Sequence, residues 1–441
     1  MAYARLTQEQ QNALRRLVRG TPINQARDWL LKKQITEEGA YGWGHLTSED
    51  LPTVWGGTLD GIRALHAAGV SKHDPAINES LKWLFTQQRE DGGFGSREVV
   101  YSAVESTAWI LIVLKELGYT PDEDERMARA VQYLDSCVGE NGEVATSVLD
   151  SDNVRIMPSV LTLSALHSYS KKSVLVARFL KDVRDVETGG WGSKPGAVPN
   201  PQSTCQVLNT LLETTSLTRD DVITQQAVQF ILARQNEDGS WNNFSETWFS
   251  KHQPHVPLRC DDFTTAWAVQ TLINAGVGIT TEPLVKALSW LILSQKEPGY
   301  WQFDPLDDAE HVWCVSDCTV TLVKARTKLM AEVAEAGISA LGADRQAETE
   351  GNNASPMEAL EKRVKGIWKF VRVNAFNFIV VFLALYIFRE QIFGLINQIL
   401  EFFKVQTGNL IANLIASLIW SLLLLLGTVL LGRLRDARNG S

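Results

Sequence analysis

Along the first three quarters of the chain, segments with one wet face alternate with segments that are apolar on every side. The first kind comprises residues 26–34, 77–88, 130–138, 173–183, 223–235 and 284–295. In the fifth of these, Ile223, Ala227, Phe230 and Ile231 mark one stripe, while Gln225, Gln226, Gln229 and Arg234 fall elsewhere, the period of an amphipathic helix. The second kind comprises residues 58–65, 105–114, 159–166, 203–212, 264–273 and 319–323. Residues 108–114 read Ala-Trp-Ile-Leu-Ile-Val-Leu, two helical turns with no polar side, so such a helix must be buried all round. Several of these segments begin with a Ser/Thr pair that is expected to cap the helix N-terminus. A further amphipathic helix over residues 3–19 leads into the first repeat.

Between the two kinds of helix stands a recurring turn. Its fullest copy is Gln235-Asn236-Glu237-Asp238-Gly239-Ser240-Trp241, and degraded copies end at positions 43, 94, 144, 191 and 301. The six ends are 51, 50, 47, 50 and 60 residues apart, so one supersecondary unit is stacked six times. Six wet-faced helices alternating with six apolar ones predict an outer and an inner ring. The sixth repeat carries no polar cap of the kind an open solenoid needs, so the expected fold is all-α, a closed six-hairpin (α/α)6 toroid over residues 1–342.

The Gln-x-x-Asp-Gly-x-Trp turn followed by a Ser-Thr-Ala-Trp helix start resembles the repeat of prenyltransferases and squalene (terpene) cyclases, over roughly residues 24–325. The resemblance implies an α/α toroid with an apolar central cavity, lined here by Trp55, Trp109, Phe263, Trp267 and Trp313. It also implies that Gln, Asp, Gly and Trp of each turn are scaffold and that chemistry sits at the N-terminal ends of the inner helices.

Class II terpene cyclases carry an Asp-x-Asp-Asp-Thr-Ala motif there, whose middle Asp donates a proton. Aligned on Thr-Ala, the fifth repeat reads Asp261-Asp262-Phe263-Thr264-Thr265-Ala266, which places Phe263 at the donor position. The second repeat offers Glu105 at the equivalent place and the sixth offers Asp317. A carboxyl facing an apolar cavity has its pKa raised, as a general acid requires. The candidate catalytic residues are therefore Glu105, Asp317, Asp261 and Asp262, although a first-turn acid also serves simply to stabilise a helix N-terminus. Prenyltransferase β subunits use zinc instead. Asp261 matches their first ligand, but Phe263 replaces their Cys and Asp317 their His. Cys314 and Cys318, one helical turn apart, offer with Asp261 and Asp317 a rewired set for zinc or magnesium.

Past residue 342 the character of the chain changes. Residues 343–360 are polar and low in aromatics and read as a flexible linker. Residues 373–388 and 405–432 then hold no charge over 16 and 28 positions, and residues 361–441 are expected to form a membrane domain with spans at about 371–389 and 408–432. Lys362, Arg363, Lys365, Lys369 and Arg372 precede the first span, and Arg433, Arg435 and Arg438 follow the second. The toroid and both termini are thus expected to be cytoplasmic. Gly408, Ala412 and Ala416 give the second span a close-packing face that can support an oligomer.

The net charge of −9 excludes the basic face of a nucleic-acid partner. Five scattered cysteines fit a reducing compartment without disulfides. Two function classes follow. One is a membrane-tethered toroid that binds a prenyl, terpenoid or other lipid-like small molecule, as an isoprenoid cyclase or transferase. The other is an inactive toroid serving as sensor or partner-binding domain of a membrane effector, for example in bacterial stress or phage defence.

Overall fold

The computed structural model describes residues 6–37, 39–95, 101–147, 154–249, 257–259, 261–302 and 309–350. Helix α1 (Gln8–Arg19) leads in, opened by a capping box in which the Thr7 hydroxyl accepts from Gln10 N and the Gln10 side chain accepts from Thr7 N. The outer helices are α2 (Thr21–Lys33), α4 (Pro75–Phe85), α6 (Glu125–Cys137), α8 (Ser173–Asp182), α10 (Val222–Leu232) and α12 (Glu282–Ser294). The inner helices are α3 (Leu59–Ala67), preceded by a kinked turn at Val54–Thr58 in which Trp55 is extended and Gly56 left-handed, then α5 (Val104–Glu116), α7 (Ile156–Leu166), α9 (Pro201–Glu213), α11 (Asp261–Asn274) and α13 (Val312–Glu350). Two small antiparallel pairs, β1 (Ile35–Glu37) with β2 (Ala40–Gly42) and β3 (Phe244–Phe249) with β4 (Pro257–Arg259), lie in the connections.

The apolar segments are the inner ring. Every residue of α11 from Asp261 to Ile273 is buried, whereas α10 buries only Thr224, Ala227, Phe230 and Ile231. Neighbouring inner helices pack in the order α3, α5, α7, α9, α11. Helix α13 completes the circle. Gln270 Nε2 on α11 donates to Thr321 Oγ1 on α13 at 2.7 Å, and Arg63 on α3 pairs with Asp317 on α13 at 3.2 Å. Val312 N also donates to His45 O at 3.3 Å. The sixth repeat is therefore bonded to the first, and the ring is closed.

The recurrent turn owes its sequence to contacts that repeat with it. The indole N–H of Trp43, Trp191, Trp241 and Trp301 donates to the carbonyl of Leu30, Leu180, Ile231 and Leu291 respectively, at 2.8, 2.6, 2.7 and 2.7 Å. Each of these Trp rings is fully buried between an outer and an inner helix. The turn's Gln reaches forward to the next outer helix: Gln34 Nε2 to Ala76 O, Gln88 to Arg126 O, and Gln235 to Pro283 O. The sixth, Gln295, donates to Pro22 O at 2.9 Å, which returns the chain of contacts to α2. Gly239 sits at φ 98°, and a Cβ there would lie 2.5 Å from the Lys286 carbonyl carbon, so glycine is needed for both conformation and approach.

The Ser/Thr pairs do not cap helices as the sequence suggests. Thr58, Thr107, Thr204 and Thr265 instead accept from the backbone N–H of Trp43, Phe94, Trp191 and Trp241 at 3.1, 2.9, 3.0 and 3.0 Å. The N-cap of α5 is Ala103, with no side-chain bond, and that of α9 is Asn200, which accepts from Ser203 N. These hydroxyls bind α3, α5, α9 and α11 each to the turn before it, giving a buried N–H its acceptor.

The chain divides into two compact units, residues 1–339 and 340–441. Helix α13 runs on to Glu350, so residues 343–350, expected as linker, are helical. Ala, Arg, Gln and Glu there favour helix, and no proline interrupts before Pro356. Among the described residues no helix is long and apolar enough to cross a membrane. The expected spans at about 371–389 and 408–432 lie outside the described residues.

Candidate functional site

The threonines fix the register of the inner wall. Their hydroxyls point outward to the turn, and a residue two positions further along the helix is rotated by about 200°, which turns it to the barrel axis. Those residues are Asp60, Trp109, Gln206 and Trp267, on α3, α5, α9 and α11. All four are at least nine-tenths buried. They form one layer of the axis, because the four threonines hold their helices at the same level.

Asp60 belongs to a charged group that the sequence motifs do not reveal. Its Oδ2 accepts from Gly56 N at 3.0 Å, an approach allowed by Gly56 at φ 75°. One turn on, Arg63 donates through Nη1 to Asp317 Oδ1 and through Nε to Glu116, each at 3.2 Å. Its guanidinium carbon stands 4.8 Å from the Trp109 ring centre. Burial, then the neighbouring charge of Asp317, push Asp60 up to about 7, against the opposing pull of Arg63. Burial also raises Asp317 to about 6, where Arg63 restrains it more strongly. Burial works against the charge on Arg63, but Glu116, Asp317 and Asp60 outweigh it. The indole N–H groups of Trp109 and Trp267 are turned to Asp60 and Asp317 without making bonds of normal geometry. Asp60 and Asp317 with one Arg between them hold about one proton near neutral pH, with Asp60 the more basic.

Beside this group stands an aromatic wall. Phe263 meets Trp267 at 6.2 Å and Trp313 at 4.9 Å between ring centres, both edge to face. Trp313 Nε1 donates to His311 Nδ1 at 3.3 Å, and His45 lies 5.5 Å from His311 and 5.9 Å from Trp55. Burial and His311 lower His45 to about 4, so it is neutral at physiological pH. Trp55 is 40% exposed and stands at the outer edge of this wall.

The expected acids divide. Glu105 lies two residues before Thr107, on the axis side of α5, and is only partly buried; burial raises its pKa and Arg155 opposes the rise. Asp317 joins the charged group. Asp261 and Asp262 do not face the axis, because three and four positions before Thr265 are the wrong part of the turn. Asp262 faces Ser294 on the outer helix α12 and is raised by burial to about 8. Cys314 and Cys318 are fully buried, with Cys318 Sγ against Asp262 O and its thiol pushed well up by burial. Among the described residues no three His, Cys, Asp or Glu side chains gather as metal ligands. The set Asp261, Cys314, Asp317 and Cys318 therefore does not fit zinc or magnesium, since Asp317 is committed to Arg63 and Asp261 faces away from it. Asp60, Arg63 and Glu116 were missed. The signal was present in the sequence as an acid two residues after Thr58.

A stability measurement reports on Asp60. Between the ordinary carboxylate value of 3.8 and about 7, the folded protein retains a proton that the unfolded chain has released. Stability therefore falls as pH rises through this window and levels off above it. The melting temperature of the wild type should decline from about pH 4.5 to 7 relative to Asp60→Asn. Parallel curves for the two proteins would show that Asp60 does not hold the proton.

Residues 54–174 match the prenyltransferase alpha-alpha toroid domain, and residues 144–309 match the squalene-hopene cyclase C-terminal domain. The squalene–hopene cyclase of Zymomonas mobilis is 25% identical over 297 residues, spanning 58% of this chain and 44% of that protein. The chain thus covers less than half the length of that curated relative. Among solved structures, the type II terpene cyclase MstE from Scytonema superposes with a TM-score of 0.53 at 16% identity, over 71% of this chain and 99% of that one. An α-1,6-mannanase from Salegentibacter superposes at 0.51 and 10% identity, over 69% and 98%. The chain is an α/α toroid similar in fold to those of terpene cyclases. Because a glycan-cleaving enzyme shares that architecture, the ligand has to be argued from the site.

Proposed function

We propose that the toroid takes a prenyl chain into its axis and that Asp60 protonates one of the chain's double bonds. The observation that supports this is the placement of Asp60, a carboxyl held protonated near neutral pH in one buried layer with Trp109 and Trp267. The matching domain families and the likeness to MstE, solved in complex with geranylgeranyl dihydroxybenzoate, favour a prenyl chain over a glycan. So does the wall of Phe263, Trp267 and Trp313, whose edge-to-face rings present apolar surface to a hydrocarbon chain.

The chemistry balances within the site. The alkene π pair forms a C–H bond to the Asp60 proton, and the adjacent carbon becomes a cation. Indole faces attract that cation. Asp60 is left as a carboxylate, which Arg63 stabilises until solvent returns a proton. The cation is discharged by loss of a proton or capture of water. Incubating the full chain with isoprenyl diphosphates, squalene and prenylated aromatics, with products analysed by mass spectrometry, tests this reading. Binding without any product would favour the second reading, a toroid that only senses its ligand, for which Phe263 in place of the motif's donor is the specific support.

In either case the two uncharged spans tether the toroid to a bilayer, with the toroid and both termini on the cytoplasmic side. The full chain should stay with membranes after alkaline extraction. Its release into the soluble fraction would remove the tether from this account.

A further inference from the structure

The axis side of α9 is polar where the pattern of the inner helices predicts an apolar one. Gln202, Gln206 and Asn209 follow one another at helical spacing. The outer two are engaged. Gln202 Oε1 accepts from Asn243 Nδ2, and Asn209 Oδ1 accepts from Asn274 Nδ2, each at 2.7 Å. Gln206 between them is 3% exposed, and its Nε2 meets no acceptor among the described residues. A buried amide without a partner destabilises the fold, so a purely structural position would be better filled by leucine or methionine.

Its place in the ring gives the amide a direction. In the order α3, α5, α7, α9, α11, α13, helix α9 is third from α3 either way round, so Gln206 and Asp60 stand on opposite walls of one layer. Trp109 on α5 and Trp267 on α11 stand opposite each other on two further walls. The two indole N–H groups are turned to Asp60 and Asp317. Gln206 is thus the axis-facing donor of this layer that has no carboxylate beside it.

We infer that Gln206 binds the ligand, and that the ligand is an oxygen-bearing prenyl compound rather than a plain hydrocarbon. A hydroxyl, ether or carbonyl oxygen of that compound accepts from Gln206 Nε2 at the level of Asp60, while its hydrocarbon part lies between the two indoles. This rests on the prenyl-binding reading above.

The test compares geranylgeraniol with the C20 hydrocarbon that lacks its hydroxyl, titrated against the detergent-solubilised full chain by calorimetry. Wild type should bind the alcohol at least about 10-fold more tightly. In Gln206→Leu and Gln206→Met the alcohol should fall to the affinity of the hydrocarbon, with hydrocarbon binding unchanged or improved. Both variants should melt no lower than wild type, because each removes an unpaired buried amide. Equal affinities for the two probes in wild type, a preference that survives in both variants, or variants that melt far below wild type would each overturn the inference while leaving prenyl binding in place. Binding of neither probe would overturn the prenyl-binding reading itself and this inference with it.

Discussion

Asp60→Asn should lower turnover of a prenyl substrate by about 10²- to 10⁴-fold, the usual contribution of a positioned general acid, and leave substrate binding nearly unchanged. The amide keeps the shape of the carboxyl and the bond from Gly56 N but has no proton of useful acidity to give. Asp317→Asn should act differently. The charge of Asp317 helps to hold Asp60 at about 7, so its removal lowers Asp60 and shifts the pH–rate profile toward acid, with a smaller loss at low pH than at neutral pH. Glu105→Gln should cost little by comparison. Normal turnover in Asp60→Asn together with a large loss in Glu105→Gln would return the proton to the second repeat.

Trp241→Ala should destabilise the toroid by about 3–5 kcal/mol, the range for removing a large aromatic from a packed core. The ring is fully buried, and its N–H is bonded to Ile231 O at 2.7 Å, so the substitution leaves a large cavity and removes a buried hydrogen bond together. Trp191→Ala and Trp301→Ala should fall in the same range, because their bonds to Leu180 O and Leu291 O are equivalent. Trp313→Ala, on the partly exposed axis wall, should cost much less stability and act on the ligand instead. Thermal unfolding of the four variants checks this. A Trp241→Ala protein melting within a degree of wild type, against the roughly 4–7 °C expected for a unit of this size, would contradict the role of the turn.

The fold was legible because its determinants are periodic and the same contact recurs in four of the six repeats for the turn's Trp, its Gln and the inner helix's Thr. Gln, Gly and Trp of the turn, and Thr of the inner helix, are conserved within the chain itself by the geometry they serve. The charged group was not legible by the same route, since it occurs once. Motif alignment directs attention to the position two before the threonine, where the first repeat has Gly56, while its acid stands two after. Helical rotation sends both positions to the axis, and that arithmetic alone would have reached Asp60. The same arithmetic would have set Asp261 and Asp262 aside. Arg63 and Glu116 read as ordinary helix charges until the closure of the ring brings α13 and its Asp317 against α3, a contact across 254 residues of sequence.

The most direct measurement is turnover of an unlabelled prenyl substrate by the full chain in deuterated water. If Asp60 protonates a double bond and is recharged from solvent, the product carries one solvent-derived deuterium on carbon, and Asp60→Asn forms it at the reduced rate given above. A product that forms without deuterium, or that forms equally in Asp60→Asn, would contradict the account.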